Sequence, residues 1–237
     1  MEEKKLSHPP EQPKLETAIA IAKGIIGLLP AGGIFVELVN KINPIEKRKQ
    51  AWLGQLTDAI NEIYDRFKIL PEELWADERF VSFSWEASLI AIKNHRKEKI
   101  FFLQQAIIST ASISSIQEDE AFQFLRYIDE LTVTHLKIIS CLNANPDKFL
   151  SLKKLEEILS LIEILLDEKF ERVSFRSFLT DLERMYLIRI EDIEELPEHG
   201  PKGPDVLTAG GGGFSGIIVL PHGKNFLRFI NKTGSAH

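Results

Sequence analysis

The sequence is poor in cysteine and has no excess of basic residues. One cysteine occurs among 237 residues, so Cys141 cannot form an intrachain disulfide or a multi-thiolate metal site. The formal net charge is −6, which argues against a protein whose whole surface binds phosphate groups. We expect a reduced, cytoplasmic protein of ordinary globular composition, with Cys141 as a buried, unreactive thiol.

The sequence also lacks the motifs that mark common catalytic sites. HExxH, CxxC, GxxxxGK[ST] and a GxGxxG between a strand and a helix are all missing from it. The glycine run 210–213 precedes a predicted strand, which reverses the order of a phosphate-binding loop. The six histidines are scattered, and a metal site from His199 and His222 has no carboxylate or cysteine pattern beside it. We therefore predict a protein that is not an enzyme, with no catalytic residues, no metal and no cofactor.

Long segments that are both uncharged and apolar are missing too, although one segment is strongly apolar. Residues 17–39 read TAIAIAKGIIGLLPAGGIFVELV, and the uncharged part, 24–36, is only 13 residues long. A membrane-spanning helix needs about 20 such residues. Pro30 and the glycines that follow it predict a break in the helix. We therefore predict a hydrophobic helical hairpin at 15–43, with helices at about 15–29 and 33–43.

The hairpin has three interpretations. It is buried in this protein's core or in a partner, it engages a membrane, or it is a permanent anchor. Lys47, Arg48 and Lys49 follow it directly, and basic residues near an anionic lipid surface contribute about 1 kcal/mol each. The candidate membrane-binding residues are Ile25, Ile26, Leu29, Ile34, Phe35, Lys47, Arg48 and Lys49.

Amphipathic helices are predicted to follow the hairpin. Pro44 and Pro71 occupy first-turn positions of two helices, the first running to about Phe67, and Phe80 to about Ser112 indicates one long or kinked helix. A second group of basic residues lies on the latter. It is either a solvated face or a contact for an acidic protein or a nucleic acid. Its members are Lys93, Arg96, Lys97 and Lys99.

The last hundred residues combine helices with two short strands. Helices are predicted from Thr132 or Thr134, over 151–166 and from a capping Ser174. Residues 187–191 and 217–220 alternate as strands and flank a polar stretch rich in proline and glycine. A final helix begins at Pro221.

This order of elements resembles a winged-helix domain over residues 132–230. The resemblance is carried by FLTDLERMYLI, which leads into the strand RIE, and by IIVLPHGKNFLRFI, in which a strand turns into a helix. It implies that the third helix and the wing could contact DNA. The residues so implied are Arg176, Thr180, Arg184, Lys202 and Lys224.

The charges of this region favour protein docking over DNA binding. Asp181 and Glu183 offset the basic residues of the third helix, and the wing begins with the acidic sequence Glu191-Asp192-Ile193-Glu194-Glu195. Carboxylates there would repel the phosphates of DNA. We therefore expect a protein-docking or dimerisation module, with a DNA-binding transcriptional regulator as the alternative.

Together these features predict a mainly α protein. A flexible leader (1–14) precedes a helical bundle (15–131), a winged-helix-like domain with a two-stranded β-hairpin (132–230) and a tail (231–237). We expect a non-enzymatic interaction protein that engages a membrane through the 16–43 hairpin, of the general type of an accessory or effector in a bacterial stress or defence pathway. Its expected partners are a protein or further copies of itself, and an anionic membrane surface at the inner face of the membrane; DNA is the less favoured partner.

Overall fold

The structure is a computed structural model and describes residues 13–28, 44–112, 116–152, 154–191 and 216–231. The described residues form helices and one short two-stranded antiparallel sheet, which confirms the predicted mainly α fold class. The chain divides into two compact units. The first unit contains the described residues up to Glu130 together with Phe229–Asn231, and the second contains Leu131–Arg228.

The described part of the first unit contains six helices that follow one another in the chain. They are α1 (Pro13–Gly27), α2 (Pro44–Phe67), α3 (Pro71–Ala76), α4 (Glu78–Lys93), α5 (Lys97–Ser112) and α6 (Glu118–Glu130). Prolines stand at the first position of α2 and α3, where the missing N–H has no intrahelical partner to lose. The predicted second helix of the hairpin, 33–43, lies outside the described residues.

The segment from Phe80 to Ser112 forms two helices rather than one. The chain leaves helical geometry at Asn94, which has φ −96° and ψ 145°. Its side-chain Nδ2 donates to the carbonyl of Ile90 at 2.9 Å, beside the bond from its own backbone N–H to the same carbonyl, and both close the end of α4. A new helix, α5, starts at Lys97. The break therefore places the second basic group around a connection between two helices.

Buried aromatic and aliphatic side chains of α2, α4 and α6 form the core of the first unit. Trp52 is 1% exposed, and its Nε1 donates to Ser88 Oγ at 2.7 Å. Ser88 Oγ in turn donates to the carbonyl of Ser84. The Phe229 ring lies 6.0 Å from the Phe83 ring and completes this core. The buried indole therefore has its one polar group satisfied, as a buried Trp requires.

Helix α1 packs against α2, α3 and α4 of the same unit. Its buried side consists of Ala18, Ile21, Ala22 and Ile25, spaced by three and four residues. Trp75 lies against Gly24, where an added Cβ would stand 2.8 Å from the indole Cη2. At this close approach a larger residue at position 24 would have to displace the Trp75 ring, which is 45% exposed.

The second unit, as far as its residues are described, contains five helices and the sheet. They are α7 (Val133–Ala144), α8 (Pro146–Phe149), α9 (Leu155–Leu166), α10 (Arg172–Arg184), β1 (Ile188–Glu191), β2 (Gly216–Val219) and α11 (Pro221–Ile230), whose last two residues belong to the first unit. Thr132 caps α7 as expected, with its Oγ1 accepting from the His135 N–H.

Two helix starts in the second unit differ from the prediction. Helix α9 begins at Leu155 instead of Ser151, because the short α8 and a turn occupy the preceding residues. Helix α10 begins at Arg172, so Ser174 lies within its first turn and does not cap it. The Ser174 hydroxyl donates to Glu171 Oε2 at 3.3 Å.

The two strands pair antiparallel, with Ile188 opposite Val219 and Glu191 opposite Gly216. Gly216 has φ +137°, and a Cβ there would lie 2.5 Å from the carbonyl oxygen of Phe149. Only glycine fits this combination of backbone angle and contact. The predicted wing between the strands, including Lys202 and His199, lies outside the described residues.

Candidate functional site

Arg48 joins the two basic groups that the sequence presents 45 residues apart. It lies in the first turns of α2, where its Nε donates to the carbonyl of Pro44 at 3.2 Å. Its Nη1 donates to the carbonyl of Lys93, at the end of α4, at 3.0 Å. These bonds bring the two groups into one surface region, which we call the basic cluster. The basic cluster consists of Lys47, Arg48, Lys49, Lys93, Arg96 and Lys97.

A cleft of about 400 Å³ opens within the basic cluster. Helix α2 lines it with Arg48 and Trp52, the α4–α5 connection with His95, and α5 with Lys97 and Phe101. The other lining residues are small, aliphatic or amide-bearing: Ala51, Gln55, Ala91, Asn94 and Ile100. Of the described residues that line this cleft, none is a carboxylate. The cleft therefore combines cationic side chains with an apolar wall.

The ends of two helices meet at the cleft and carry opposite partial charges. The last carbonyls of α4 carry partial negative charge, and Arg48 and Asn94 donate hydrogen bonds to those of Lys93 and Ile90. Helix α5 starts at the cleft, and the N-terminus of a helix carries partial positive charge. Arg48 thus has a structural role, because it covers carbonyls that would otherwise face an anionic ligand.

Most cations of the basic cluster have no acidic partner. Within the described ranges, no ion pair joins Lys93, Arg96 or Lys97 to a carboxylate. Lys97 and Lys47 are exposed. These charges do not hold the fold together and are free to meet an external anion.

Lys99 does not belong to this surface, although the sequence groups it there. It is 7% exposed, and its Nζ donates to the carbonyl of Asp129 at 2.7 Å. Burial lowers the pKa of Lys99, and the nearby Asp129 charge counteracts part of that effect. Its side chain therefore links α5 to α6 inside the unit and cannot bind a ligand at the cleft.

Two further cavities of the first unit lack this cationic character. One, of about 510 Å³, is lined by Leu28, Trp85 and Phe122 with Glu86 as its charged group. The other, of about 310 Å³, has Glu86 and Asp129 beside its two cations, Lys93 and Arg126. Neither cavity has a lining that is cationic without carboxylates, as an anionic ligand would require.

The predicted membrane-binding residues separate into two groups. Ile25 is fully buried against neighbouring helices and Ile26 is half-buried, so in this conformation Ile25 cannot touch a bilayer. The basic residues 47–49 lie at the start of α2, where Lys47 is exposed and the other two are half-buried. Leu29, Ile34 and Phe35 lie outside the described residues. Within the parts of the chain that are described, no helix has both the length and the apolar character needed to cross a membrane.

The predicted nucleic-acid contacts lie on α10 and α11 of the second unit. Arg176, Thr180 and Arg184 are exposed on α10, and Lys224 is exposed on α11. The two acids beside them on α10 are both engaged. Asp181 lies 3.3 Å from Arg184 and 3.5 Å from the ring of buried His135, and Glu183 Oε1 accepts from the Ile190 N–H at 2.9 Å.

Cys141 and the histidines of the described region show no reactive arrangement. Cys141 is 7% exposed, and burial raises the pKa of its thiol. A raised pKa disfavours the thiolate that a nucleophile needs. His135 accepts a hydrogen bond at Nδ1 from the N–H of Thr132 and so serves as part of a helix cap. Across the described residues, no three His, Cys, Asp or Glu side chains gather to hold a metal ion.

The basic cluster is thus the region of the described structure best suited to bind a ligand. The sequence identifies its members as two separate groups but does not show that they form one surface. Phe101 and His95 complete the cleft, and their only signal in the sequence is their position next to the second basic group. Comparisons of the chain with protein-family models, with curated proteins and with solved structures found no match.

Proposed function

We propose that this chain is a non-enzymatic interaction protein whose first unit attaches to anionic membrane surfaces through the basic cluster. The observation that carries the proposal is the Arg48 bridge, which joins residues 47–49 to the α4–α5 connection. It brings together six Lys and Arg residues that come from two separate parts of the sequence, 47–49 and 93–97. At about 1 kcal/mol per basic residue near an anionic bilayer, such a cluster suffices for reversible attachment.

Exposed apolar side chains beside the cations support attachment to a bilayer. Ile45 precedes the basic residues of α2 and is 46% exposed, and Phe101 of the cleft is 43% exposed. Apolar side chains of this kind enter the boundary between headgroups and acyl chains, while the cations stay at the headgroups. In this proposal α1 remains packed in the first unit, and the membrane contact begins with the basic cluster instead of Ile25.

Vesicle flotation of the full-length protein tests this proposal. We expect it to float with phosphatidylcholine vesicles that contain phosphatidylglycerol and to remain in solution with pure phosphatidylcholine. Because surface electrostatics are screened by salt, rising salt should release the protein. Equal flotation with both kinds of vesicle, or with neither, would contradict the proposal.

Binding of DNA by the second unit is a second candidate, favoured by the arrangement of α10. Arg176 and Thr180 are exposed on α10, and the Glu183 carboxylate accepts a hydrogen bond from the Ile190 N–H of β1. The resemblance to a winged-helix domain implies that this helix contacts DNA. A gel shift at low salt should show binding that weakens in the double variant Arg176→Ala/Arg184→Ala; an unchanged shift would exclude α10 as the contact.

A further inference from the structure

The cleft in the basic cluster has room for more than a single ion. Its volume of about 400 Å³ falls in the range of roughly 300–1,000 Å³ that is typical of small-molecule sites. A water molecule takes about 30 Å³ of liquid, so a bare phosphate would leave most of this space unused. The ligand that fits has a second part besides its charged group.

The charged part of the ligand is an anion with two negative charges. Arg48 and Lys97 line the cleft from opposite helices, α2 and α5, and the start of α5 lies beside them. Arginine has five N–H donors, and the bonds from Arg48 to Pro44 and Lys93 hold its planar group in place while the other donors remain for a ligand. A phosphate monoester is largely a dianion at neutral pH, because its second pKa is about 6.

The second part of the ligand is apolar. Trp52 and Phe101 line the cleft together with the short aliphatic side chains of α2, α4 and α5. Trp52 is 1% exposed and held by its bond to Ser88, so it offers the cleft only a fixed edge, whereas Phe101 is 43% exposed at the rim and presents accessible apolar surface. A ring or an acyl chain attached to the phosphate would cover these surfaces.

We infer that this cleft binds a phosphate monoester that carries an apolar group. The inference rests on the proposed membrane attachment, because it names the headgroup that the same basic cluster would hold. Two sources offer this chemistry: phosphatidic acid in a bilayer, and a soluble phosphate ester. No bond is made or broken, so the site acts only by binding.

Calorimetric titration of the full-length protein tests the inference with soluble probes. Phenyl phosphate should bind at least about tenfold more tightly than inorganic phosphate, which lacks the ring, and than methyl phenyl phosphate, which carries one charge. Phe101→Ala should weaken binding of phenyl phosphate and leave inorganic phosphate unchanged. Equal affinities for the three probes, or no binding of phenyl phosphate, would overturn the inference.

Two matched lysine variants separate the cleft from the general charge of the cluster. Lys97 lines the cleft and Lys47 does not, although both are exposed lysines of the basic cluster. Lys97→Gln should weaken binding of phenyl phosphate about tenfold, because one charge-assisted hydrogen bond is lost. Lys47→Gln should change this affinity less than about twofold, because Lys47 acts only through screened, longer-range charge. Equal losses in the two variants would show that only diffuse charge is sensed.

Vesicles distinguish failure of the inference from failure of the proposed function. If the protein prefers phosphatidic acid over phosphatidylglycerol at matched surface charge, both the inference and the proposed membrane attachment are supported, and the ligand is the lipid. Binding to both lipids alike, without binding of phenyl phosphate, overturns the inference and leaves membrane attachment standing. Binding of phenyl phosphate without any vesicle binding supports the cleft, assigns a soluble ester and overturns membrane attachment.

Discussion

The two units of this protein use their charged residues differently. In the second unit, cations and carboxylates pair with one another: Arg172 with Glu156, Lys169 with Glu163, and Lys137 with Glu168. The first unit also has ion pairs, Arg66 with Glu62 and Arg79 with Asp77, but Arg48 and Lys97 of its basic cluster line a cleft without carboxylates. Charges that are paired within a unit offset one another and help to position its elements. Unpaired cations repel one another, and the binding of an anionic ligand would offset this repulsion.

The largest expected effect is a loss of stability on mutating the core of the first unit, which supports the basic cluster. Trp52→Ala removes a fully buried indole and its bond to Ser88, and should destabilise the first unit by about 3–5 kcal/mol. Trp52→Phe should cost less, because most of the packing remains. All three tryptophans lie in this unit, so the fluorescence of Trp75 and Trp85 during urea unfolding reports on it. A loss below about 1 kcal/mol in Trp52→Ala would show that the indole does not support the unit.

The docking of α1 offers a test with a matched control in the same helix. A Cβ at Gly24 would meet the Trp75 ring, whereas a Cβ at Gly27 would meet nothing within 4 Å. Gly24→Ala should therefore be about 1–2 kcal/mol less stable than Gly27→Ala, because overpacking exceeds the gain in helix propensity. Urea unfolding followed by tryptophan fluorescence measures the difference. Equal stability of the two variants would mean that α1 does not pack on Trp75 in solution.

In the second unit, backbone strain at an exposed tyrosine gives a smaller effect of opposite sign. Tyr186 has φ 56° and its side chain is 74% exposed, at the junction between α10 and β1. Tyr186→Gly should stabilise the unit by about 1 kcal/mol, because glycine adopts this conformation without a steric penalty. Tyr186→Ala is the control, since alanine keeps the strain. Thermal unfolding followed by circular dichroism should rank the glycine variant above both the alanine variant and the wild type.

The smallest effect concerns the acid sensitivity of a paired carboxylate. Hydrogen bonds from the Lys169 side chain and the Phe170 N–H lower the pKa of Glu163 below its usual value. The stabilisation is therefore present above the usual glutamate pKa and is lost as pH falls through the lowered pKa of the folded state. Glu163→Gln removes this component, so urea midpoints of the variant should fall less steeply with acid than those of the wild type. Identical slopes would show that this pair does not stabilise the second unit.

Local signals predict much of this fold, and long-range contacts determine the rest. Proline at a first helical position marks the starts of α2, α3 and α11, because its effect depends on adjacent residues alone. The sequence predicts one long or kinked helix over 80–112 and does not locate the break at Asn94, because the polar residues 93–99 carry no apolar period that marks where one helix ends and the next begins. Lys99 was wrongly grouped with surface cations, because its burial depends on a contact with Asp129, 30 residues away.

The candidate site shows the same limit. Both groups of basic residues were recognised as runs of charge, yet only the bond from Arg48 to Lys93 shows that they form one surface. Ile25 was predicted to face a membrane because apolar periodicity does not distinguish a bilayer from a protein core. In the structure the partners of α1 are α2, α3 and α4.

The most direct test of membrane attachment through the basic cluster compares two charge-reversal variants of equal net charge. Lys47→Glu/Lys97→Glu changes the basic cluster, and Lys148→Glu/Lys154→Glu changes two exposed lysines of the second unit. Vesicle binding at low salt should weaken on the order of a thousandfold in the first variant, about 4 kcal/mol for two reversals, and only slightly in the second. Equal losses in both variants would contradict the account, because attachment would then follow net charge and not the basic cluster.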